Sequence, residues 1–125
     1  MGNILDLLGR ILISILFLLN GVSKINNYES TVDWIESFEI SGMIIIPAII
    51  LEIIGPILII VGYKAKIAAG FLSLFCILTA VIFHNDFSDQ IQFTSFLKNI
   101  ALAGGFIFIV VNGTKEFSID KKFSK

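Results

Sequence analysis

The chain has 125 residues, of which 56% are hydrophobic and 15% are charged, and its mean hydropathy is +0.93. This composition lies outside the range of soluble globular domains and indicates an integral membrane protein with one domain. The formal net charge of -1 argues against a polyanionic partner, so nucleic acid binding is excluded as a function.

The first apolar segment runs from about residue 4 to residue 25, which is long enough to cross a bilayer. A cleaved signal peptide is the alternative, but no A-x-A-like cleavage site follows the segment and more hydrophobic segments come after it. Residues spaced by three or four positions share one helix face, which we expect to point inward: Arg10, Ser14, Phe17, Gly21 and Lys24.

The connection between the first and second spans contains the sequence STVDWIESFEISG. Ser30, with Asp33 three residues later, has the pattern of a helix cap, and apolar residues recur after it at helical spacing. Trp34 fits the headgroup level of a membrane. The pattern predicts a short interfacial helix that begins near Ser30, with an ordered loop as the alternative.

The second span runs from about residue 43 to residue 63 and contains a carboxylate, Glu52. An ionisable group inside a membrane span is costly, so it is by default a functional candidate that faces the interior of a bundle. Pro56 follows one turn later, where a proline frees a backbone carbonyl and kinks the helix. Such a kink could widen a cavity beside Glu52; a packing bend without a ligand is the alternative.

The third span covers about residues 67 to 84 and the fourth about residues 93 to 112. The turn between the second and third spans is short, so these two helices are antiparallel neighbours. Small residues that allow close helix packing recur in both later spans: Ala69, Ser73, Cys76 and Ala80 in the third, and Ala101, Gly104 and Gly105 in the fourth. Residues 113–125 form a polar tail that we expect to be flexible.

These elements predict an all-α fold: residues 1–112 form an antiparallel four-helix membrane bundle with a short interfacial helix between the first and second spans. Basic residues are concentrated at one end of this bundle: Arg10, Lys64, Lys66, Lys115, Lys121, Lys122 and Lys125. Only Lys24 and Lys98 lie near the other end. The positive-inside rule therefore predicts that both termini are cytoplasmic.

Polar side chains from all four spans should meet in the outer half of the bundle: Asn20, Lys24, Glu52, His84, Lys98 and Asn99. Their depths allow Glu52 to pair with either Lys98 or Lys24. One cation is then in surplus, which together with a titratable His84 suits a ligand that bears a carbonyl or an anion, or a proton relay. Interhelical hydrogen bonds with no ligand are the alternative.

The sequence predicts no metal site and no self-contained catalytic motif. A lone histidine with scattered carboxylates lacks the ligand spacing of a zinc or di-iron centre. No phosphate-binding glycine loop, G-x-S-x-G or C-x-x-C motif is present. Any chemistry would therefore belong to a bound ligand or partner.

The succession GRILISILFLLNGVSKI, LEIIGPILIIVGYKAKIAAGFLSLFCILTAVIFH and FLKNIALAGG resembles the DoxX family of small four-helix bacterial membrane proteins. The residues that fall in the family's order are Arg10, Gly21, Lys24, Glu52, Gly55, Gly62, His84, Lys98 and Asn99. Pro56 departs from the pattern, because it stands where a second glycine is expected.

The resemblance implies a bacterial inner-membrane protein linked to redox complexes, since the family takes its name from a subunit of a thiosulfate:quinone oxidoreductase. It implies a quinone that binds without a covalent link. It also implies partners within the lipid bilayer, either subunits of a redox complex or further copies of the chain. Arg10, Gly21, Gly55, Pro56, Gly62 and Gly105 are then structural positions. A scaffold subunit without a ligand and a small proton-coupled transporter are the alternatives.

Overall fold

The computed structural model describes residues 2–115 and 117–120, and its regular elements are helical throughout these residues. The helices are α1 (Gly2–Asn26), α2 (Tyr28–Glu36), a 3-10 helix (Gly42–Ile44), α3 (Ile45–Val61), α4 (Ala65–Phe83) and α5 (Gln90–Asn112). Four segments are long and apolar enough to cross a membrane: α1, the 3-10 helix together with α3, α4, and α5. The predicted four-helix membrane bundle with a short helix after its first span is confirmed.

The four long helices run antiparallel along the chain. α1 packs on α3, α3 on α4 and α4 on α5, and the rings of Phe17 and Phe106 join α1 to α5 at a centroid distance of 5.4 Å. We call the end at which α1 and α4 begin the terminal end, and the opposite end, which carries α2, the distal end. Large apolar side chains such as Leu12, Phe71 and Phe108 remain exposed, as lipid contact requires.

A buried apolar cluster fills the middle of the bundle and its terminal half: Phe17, Ile59, Ala68, Ala69, Leu72, Cys76, Ala103 and Phe106. Of the small residues predicted on α4, Ala69 and Cys76 lie in this cluster, and Ser73 and Ala80 are also buried. The helices approach closely at two glycines. A Cβ atom at Gly21 would lie 2.7 Å from Cγ1 of Ile53, and one at Gly55 would lie 3.1 Å from the side chain of Leu72.

The inward face of α1 is the predicted one, because Arg10, Ser14, Phe17 and Gly21 are all buried. The predicted face of α5 is wrong at Ala101, which is exposed, whereas Ala103 and Phe106 are buried. Gly105 does face a neighbour, since a Cβ atom there would lie 2.6 Å from the side chain of Ile13. α5 is apolar on nearly every side, so its sequence pattern does not separate the lipid face from the protein face.

The break between α1 and α2 consists of Asn27 alone, with φ -120° and ψ 42°. The backbone N–H of Thr31 already donates to the carbonyl of Asn27, so α2 begins at Tyr28 and Ser30 lies inside the helix. The predicted cap at Ser30 is therefore wrong. α1 continues to Asn26, which leaves no room for an extended segment before a capping serine.

Arg10 clamps the terminal end of the bundle and is only 2% exposed. Its Nη1 donates to the carbonyls of Ile59 (2.9 Å) and Ile60 (2.8 Å), in the last turn of α3. Its Nη2 donates to the carbonyl of Phe117 at 2.6 Å, and its Nε donates to Asp6 at 3.0 Å. The guanidinium thus satisfies carbonyls that a helix C-terminus leaves without partners, at the end where a cation is favourable.

Asp120 fastens the C-terminal segment to the turn between α3 and α4. Its carboxylate accepts from the backbone N–H groups of Lys64 (2.7 Å) and Ala65 (2.9 Å), and its own N–H donates to the carbonyl of Gly62 at 2.7 Å. The expectation of a flexible tail over residues 113–125 is therefore wrong at Asp120, which serves as the N-terminal cap of α4. The tail beyond Asp120 lies outside the described residues.

The turn itself depends on a glycine. Gly62 ends α3 with φ 74°, a left-handed conformation that side chains with a Cβ atom adopt rarely. A Cβ atom there would also collide with the side chain of Ser118. Position 62 therefore requires a glycine for two reasons: its backbone angle and the close docking of the C-terminal segment.

Candidate ligand-binding site

A cavity of about 310 Å³ lies at the distal end, among α1, α2, the start of α3, the end of α4 and α5. Its lining includes each side chain of the predicted polar constellation: Asn20, Lys24, Glu52, His84, Lys98 and Asn99. The remaining lining is largely apolar and aromatic: Leu16, Phe17, Trp34, Ile35, Ile44, Pro47, Ala48, Leu51, Phe75, Leu78, Thr79, Ile82, Phe83 and Leu102. Sequence reasoning thus found the charged, amide and histidine side chains of the lining but missed the hydroxyl of Thr79, and ligand binding there stays a prediction.

Glu52 pairs with Lys24, one of the two lysines that the sequence allowed. The Lys24 ammonium donates to Oε1 at 3.0 Å and lies 2.8 Å from Oε2. Glu52 is 2% exposed, whereas the side chain of Lys24 is 24% exposed. The backbone carbonyl of Glu52 also lacks its usual helical donor, because the residue four positions later is Pro56, which has no N–H.

Lys98 and Asn20 line the same cavity without a partner of their own. Among the described residues, neither side chain makes a hydrogen bond or an ion pair. Because Lys24 and Glu52 neutralise each other, Lys98 is the surplus cation that the sequence predicted. The cavity therefore presents an ammonium and an amide that are available to a ligand.

Two interhelical contacts hold the rest of the polar lining. Asn99 donates from Nδ2 to the hydroxyl of Thr79 at 3.3 Å, which ties α5 to α4. Nδ1 of His84 lies 3.3 Å from Oε1 of Gln92, across the turn between the same helices. These contacts fix Asn99 and His84 at the cavity, so neither is as free as Lys98.

An aromatic cluster closes the distal side of the cavity. The rings of Trp34 and Phe83 are stacked at a centroid distance of 4.7 Å, and Phe38 meets Phe83 edge-on at 4.9 Å. Trp34 and Phe83 both line the cavity, so α2 covers it. The sequence placed Trp34 at the headgroup level and did not include it in the site; its aromatic character at an amphipathic helix was the available signal.

Aromatic rings form part of the wall of the cavity. Phe17 and Phe83 line the cavity, whereas Phe96 is not part of the lining, and its ring contacts Phe87 at 4.9 Å. Pro56 is fully buried and does not line the cavity, whereas Pro47 does. The interpretation that Pro56 opens the cavity is therefore not supported.

The turn after α4 carries a negative charge. Asp86 is exposed, and hydrogen bonds from the hydroxyl and the N–H of Ser88 hold the pKa of its carboxyl below the ordinary value. Within residues 2–115 and 117–120, no three His, Cys, Asp or Glu side chains come together as a metal site. Among the described residues, the charged and titratable groups at the distal end are thus carboxylates, lysines and one histidine.

The DoxX family model matches residues 5–85 of the chain, which extend from α1 to the end of α4. The chain belongs to the DoxX family. The matched segment contains Asn20, Lys24, Glu52 and His84, so most of the polar lining lies in the region that defines the family. Lys98 and Asn99 lie on α5, outside that segment.

Two relatives of this DoxX protein come from Escherichia coli (strain K12). Inner membrane protein YqjF is 34% identical over 119 residues, which are 95% of this chain and 92% of that protein. Inner membrane protein YphA is 26% identical over 126 residues, covering 95% of this chain and 90% of that protein. No solved structure matches the chain. Both similarities extend over α5 and so include the part of the site that the family match omits.

Proposed function

We propose that this DoxX protein is a quinone-associated subunit of a membrane redox complex, and that the distal cavity is its quinone site. The observation that carries the proposal is the meeting of available donors, on Lys98 and Asn20, with aromatic and aliphatic walls in one cavity. A quinone needs hydrogen-bond donors for its carbonyls and an apolar slot for its ring. The volume of about 310 Å³ lies within the range of small-molecule sites.

Proton transfer accompanies quinone chemistry, and two titratable side chains of the lining are suited to it. An imidazole can take up and release a proton at its ring nitrogens, and His84 lies in the lining, while Glu52 is held beside Lys24 in the same cavity. In this proposal Glu52 exchanges a proton with the ligand, and His84 carries it to the distal surface. The redox reaction itself would take place with the partner subunits of the complex.

We further propose that the protein lies in a bacterial inner membrane with both termini in the cytoplasm. Both relatives are inner membrane proteins by name, and the terminal end carries Arg10, Lys64, Lys66 and Lys115. The distal cavity then lies in the outer half of the membrane. A lipid-soluble tail on the ligand would remain in hydrocarbon there, with the ring between the helices.

A proton-coupled transporter needs a path across the whole bundle. Phe17 belongs both to the cavity lining and to the apolar core cluster, so the core begins where the cavity ends. The contact of Phe17 with Phe106 joins α1 to α5 at that level. This apolar layer favours a site that opens to one side over a transport path.

Calorimetric titration tests the function directly. The purified protein in lipid nanodiscs would be titrated with a short-chain benzoquinone, oxidised and reduced, with empty nanodiscs as the blank. We expect saturable binding that Lys98→Met weakens by about tenfold, because the ammonium supplies a charged hydrogen bond. Lys115→Met, at the terminal end, is the matched control and should bind like the parent protein.

The result also separates the alternatives. Saturable binding that is unaffected by Lys98→Met would move the site away from the cavity. No binding in either redox state, together with stable copurification of another membrane subunit, would favour a scaffold. A ligand-dependent proton flux in sealed vesicles would instead favour the transporter.

A further inference from the structure

The distal cavity lies between two layers of the bundle. α1 and α3 pack closely on each other, as do α4 and α5, whereas the packing of α3 on α4 is less extensive. The backbones of α1 and α5 stay farther apart, and these two helices meet through side chains such as Phe17 and Phe106. Because both layers line the cavity, it has one edge between α1 and α5 and another between α3 and α4.

The edge between α1 and α5 carries polar side chains. A Cβ atom at Gly105 of α5 would lie 2.6 Å from the side chain of Ile13, which marks the flanks on which the two helices face each other. Two turns farther toward the distal end, the same flanks carry Asn20 on α1 and Lys98 on α5. Both line the cavity and neither is buried, so we call this the polar edge.

The edge between α3 and α4 is apolar. A Cβ atom at Gly55 of α3 would lie 3.1 Å from the side chain of Leu72 of α4, which marks the facing flanks there. Toward the distal end, apolar lining residues continue these flanks at steps of three or four positions, and we call them the apolar edge: Pro47 and Leu51 on α3, and Phe75, Leu78 and Ile82 on α4. The hydroxyl of Thr79 beside them is occupied, since it donates to the carbonyl of Phe75 at 2.9 Å and accepts from Asn99.

Leu78 connects the apolar edge with the lipid surface. It lines the cavity and is also 49% exposed. Leu74, one turn earlier on α4, is 54% exposed and is not part of the lining, so Leu78 continues the lipid-facing stripe of the helix. An alkyl chain can pass such an edge without taking any polar group away from its partners.

We propose that the ligand of the cavity is an amphipath whose polar ring lies at Lys98 and Asn20 and whose long apolar tail leaves the bundle between α3 and α4. The inference rests on the proposed function and deepens it, since it names the class of quinone as one that bears an alkyl or isoprenoid tail. The two edges differ in chemistry, and this difference sets the direction in which the ligand lies. Leu78 is the residue over which the tail passes into the lipid.

Two probes with the same ring separate the ring from the tail: 2,3-dimethoxy-5-methyl-1,4-benzoquinone and its decyl derivative. Each would be titrated calorimetrically into the full-length protein in nanodiscs, with empty nanodiscs subtracting partition into lipid. Leu78→Trp adds bulk at the apolar edge, and Leu74→Trp adds the same bulk one turn away, outside the cavity. We expect Leu78→Trp to weaken binding of the decyl probe by about tenfold and that of the ring probe by less than about twofold. Leu74→Trp should leave the binding of both probes unchanged.

A photoreactive probe tests the direction of the tail in the parent protein. The decyl chain would carry a diazirine at its sixth carbon, and mass spectrometry would locate the labelled residues. Labels that disappear in excess unlabelled decyl probe belong to the site. We expect them on α3 and α4, at Leu51 and Leu78, and not at Leu16 and Leu102, which line the cavity from α1 and α5.

The outcomes separate this inference from the proposed function. If Leu78→Trp changes the binding of both probes equally, or if the competed labels fall at Leu16 and Leu102, the inference is overturned while the quinone site stands. The same holds if the parent protein binds the ring probe but not the decyl probe. If neither probe binds above the empty nanodiscs, the proposed function fails and the inference fails with it. Should Leu78→Trp not fold, the labels in the parent protein decide the matter.

Discussion

Lys24 on α1 and Glu52 on α3 form an ion pair across the distal half of the bundle, with the ammonium 2.8 Å from Oε2. Removing one member of a buried pair leaves the other charge without a partner, which costs about 3–5 kcal/mol. We expect Lys24→Met to lower the free energy of unfolding by about 3 kcal/mol, because partial exposure of Lys24 lets water solvate part of the pair. Glu52→Gln should cost less, because the lysine left behind is 24% exposed and water can solvate its charge.

The double variant Lys24→Met, Glu52→Gln should be more stable than the sum of the single effects predicts, by about 1–3 kcal/mol. Unfolding by titration with dodecyl sulfate in mixed micelles would measure each term. Lys98→Met is the matched control, and its effect should be additive with that of Glu52→Gln, because Lys98 has no partner among the described residues. Additivity of Lys24→Met with Glu52→Gln would contradict the pairing.

The sequence located this pair only in part. Depth along the spans made Lys24 and Lys98 equal candidates, because long flexible side chains reach over more than a helical turn. The choice between them depends on the close approach of α1 and α3 at Gly21, which only the folded structure fixes. Polar residues inside apolar spans are few, so their role as an inward-facing set was predictable from the sequence.

Contacts to the backbone were not predictable in this way. Arg10 and Asp120 bind backbone groups near the turn between α3 and α4. Nearly every residue has a backbone carbonyl and N–H, so the sequence does not show which of them a side chain will bind. The face of α5 failed for another reason. Ala101 and Ala103 are equally small and apolar, so composition gives no means to decide which of them faces lipid.

We expect that lysine cannot replace Arg10 at the terminal end of the bundle. Lys has a single ammonium and cannot reach the carbonyls of Ile59, Ile60 and Phe117 together with Asp6. We expect Arg10→Lys to lower the free energy of unfolding by about 2–3 kcal/mol, since buried carbonyls lose their donors. The variant should also free the C-terminal segment, which trypsin would cleave faster near Lys115.

Lys66→Arg is the control for a general effect of exchanging lysine and arginine. Lys66 is exposed and lies at the same end of the bundle. The variant should leave both the stability and the rate of cleavage unchanged. Equal stability of Arg10→Lys and the parent protein would mean that the clamp contributes nothing to the fold.

The cap that Asp120 places on α4 has a separate and smaller effect. Loss of a capping carboxylate costs about 0.5–2 kcal/mol, because it leaves the first N–H groups of the helix without acceptors. We expect Asp120→Ala to destabilise the protein by about 1 kcal/mol and Asp120→Asn by less, since the amide oxygen still accepts from one N–H. Asp89, which caps α5 through the N–H of Ile91 at 3.0 Å, provides a reference of the same kind.

Thermal unfolding in detergent would rank these variants, with Asp89→Ala close to Asp120→Ala. If Asp120→Asn proved as damaging as Asp120→Ala, the negative charge rather than the hydrogen bonds would be responsible. No effect of either substitution would contradict the docking of the C-terminal segment.

The proposed orientation predicts where fused reporters are active. Alkaline phosphatase folds only outside the cytoplasm, whereas green fluorescent protein fluoresces when it is fused to a cytoplasmic end. We expect a fusion after Lys125 to be fluorescent with the second reporter and inactive with the first. A phosphatase inserted in the turn after His84 should be active, and activity of the fusion at Lys125 would contradict the proposal.

Two glycines of the bundle should respond to alanine in opposite ways. A Cβ atom at Gly21 would lie 2.7 Å from Cγ1 of Ile53, whereas one at Gly104 meets nothing within 4 Å. Alanine in place of glycine favours a helix by about 1 kcal/mol, and forcing an extra methyl group into a packed contact costs about 1–3 kcal/mol.

We therefore expect Gly104→Ala to be neutral or to stabilise the protein by up to about 1 kcal/mol, and Gly21→Ala to destabilise it by up to about 2 kcal/mol. Because Cβ of Glu52 would be 3.4 Å from the new methyl group, Gly21→Ala should also loosen the ion pair. The effect of Lys24→Met would then be smaller in the Gly21→Ala background than in the parent, as unfolding titrations can measure. An unchanged effect of Lys24→Met in that background would show that the distance between α1 and α3 does not control the pair.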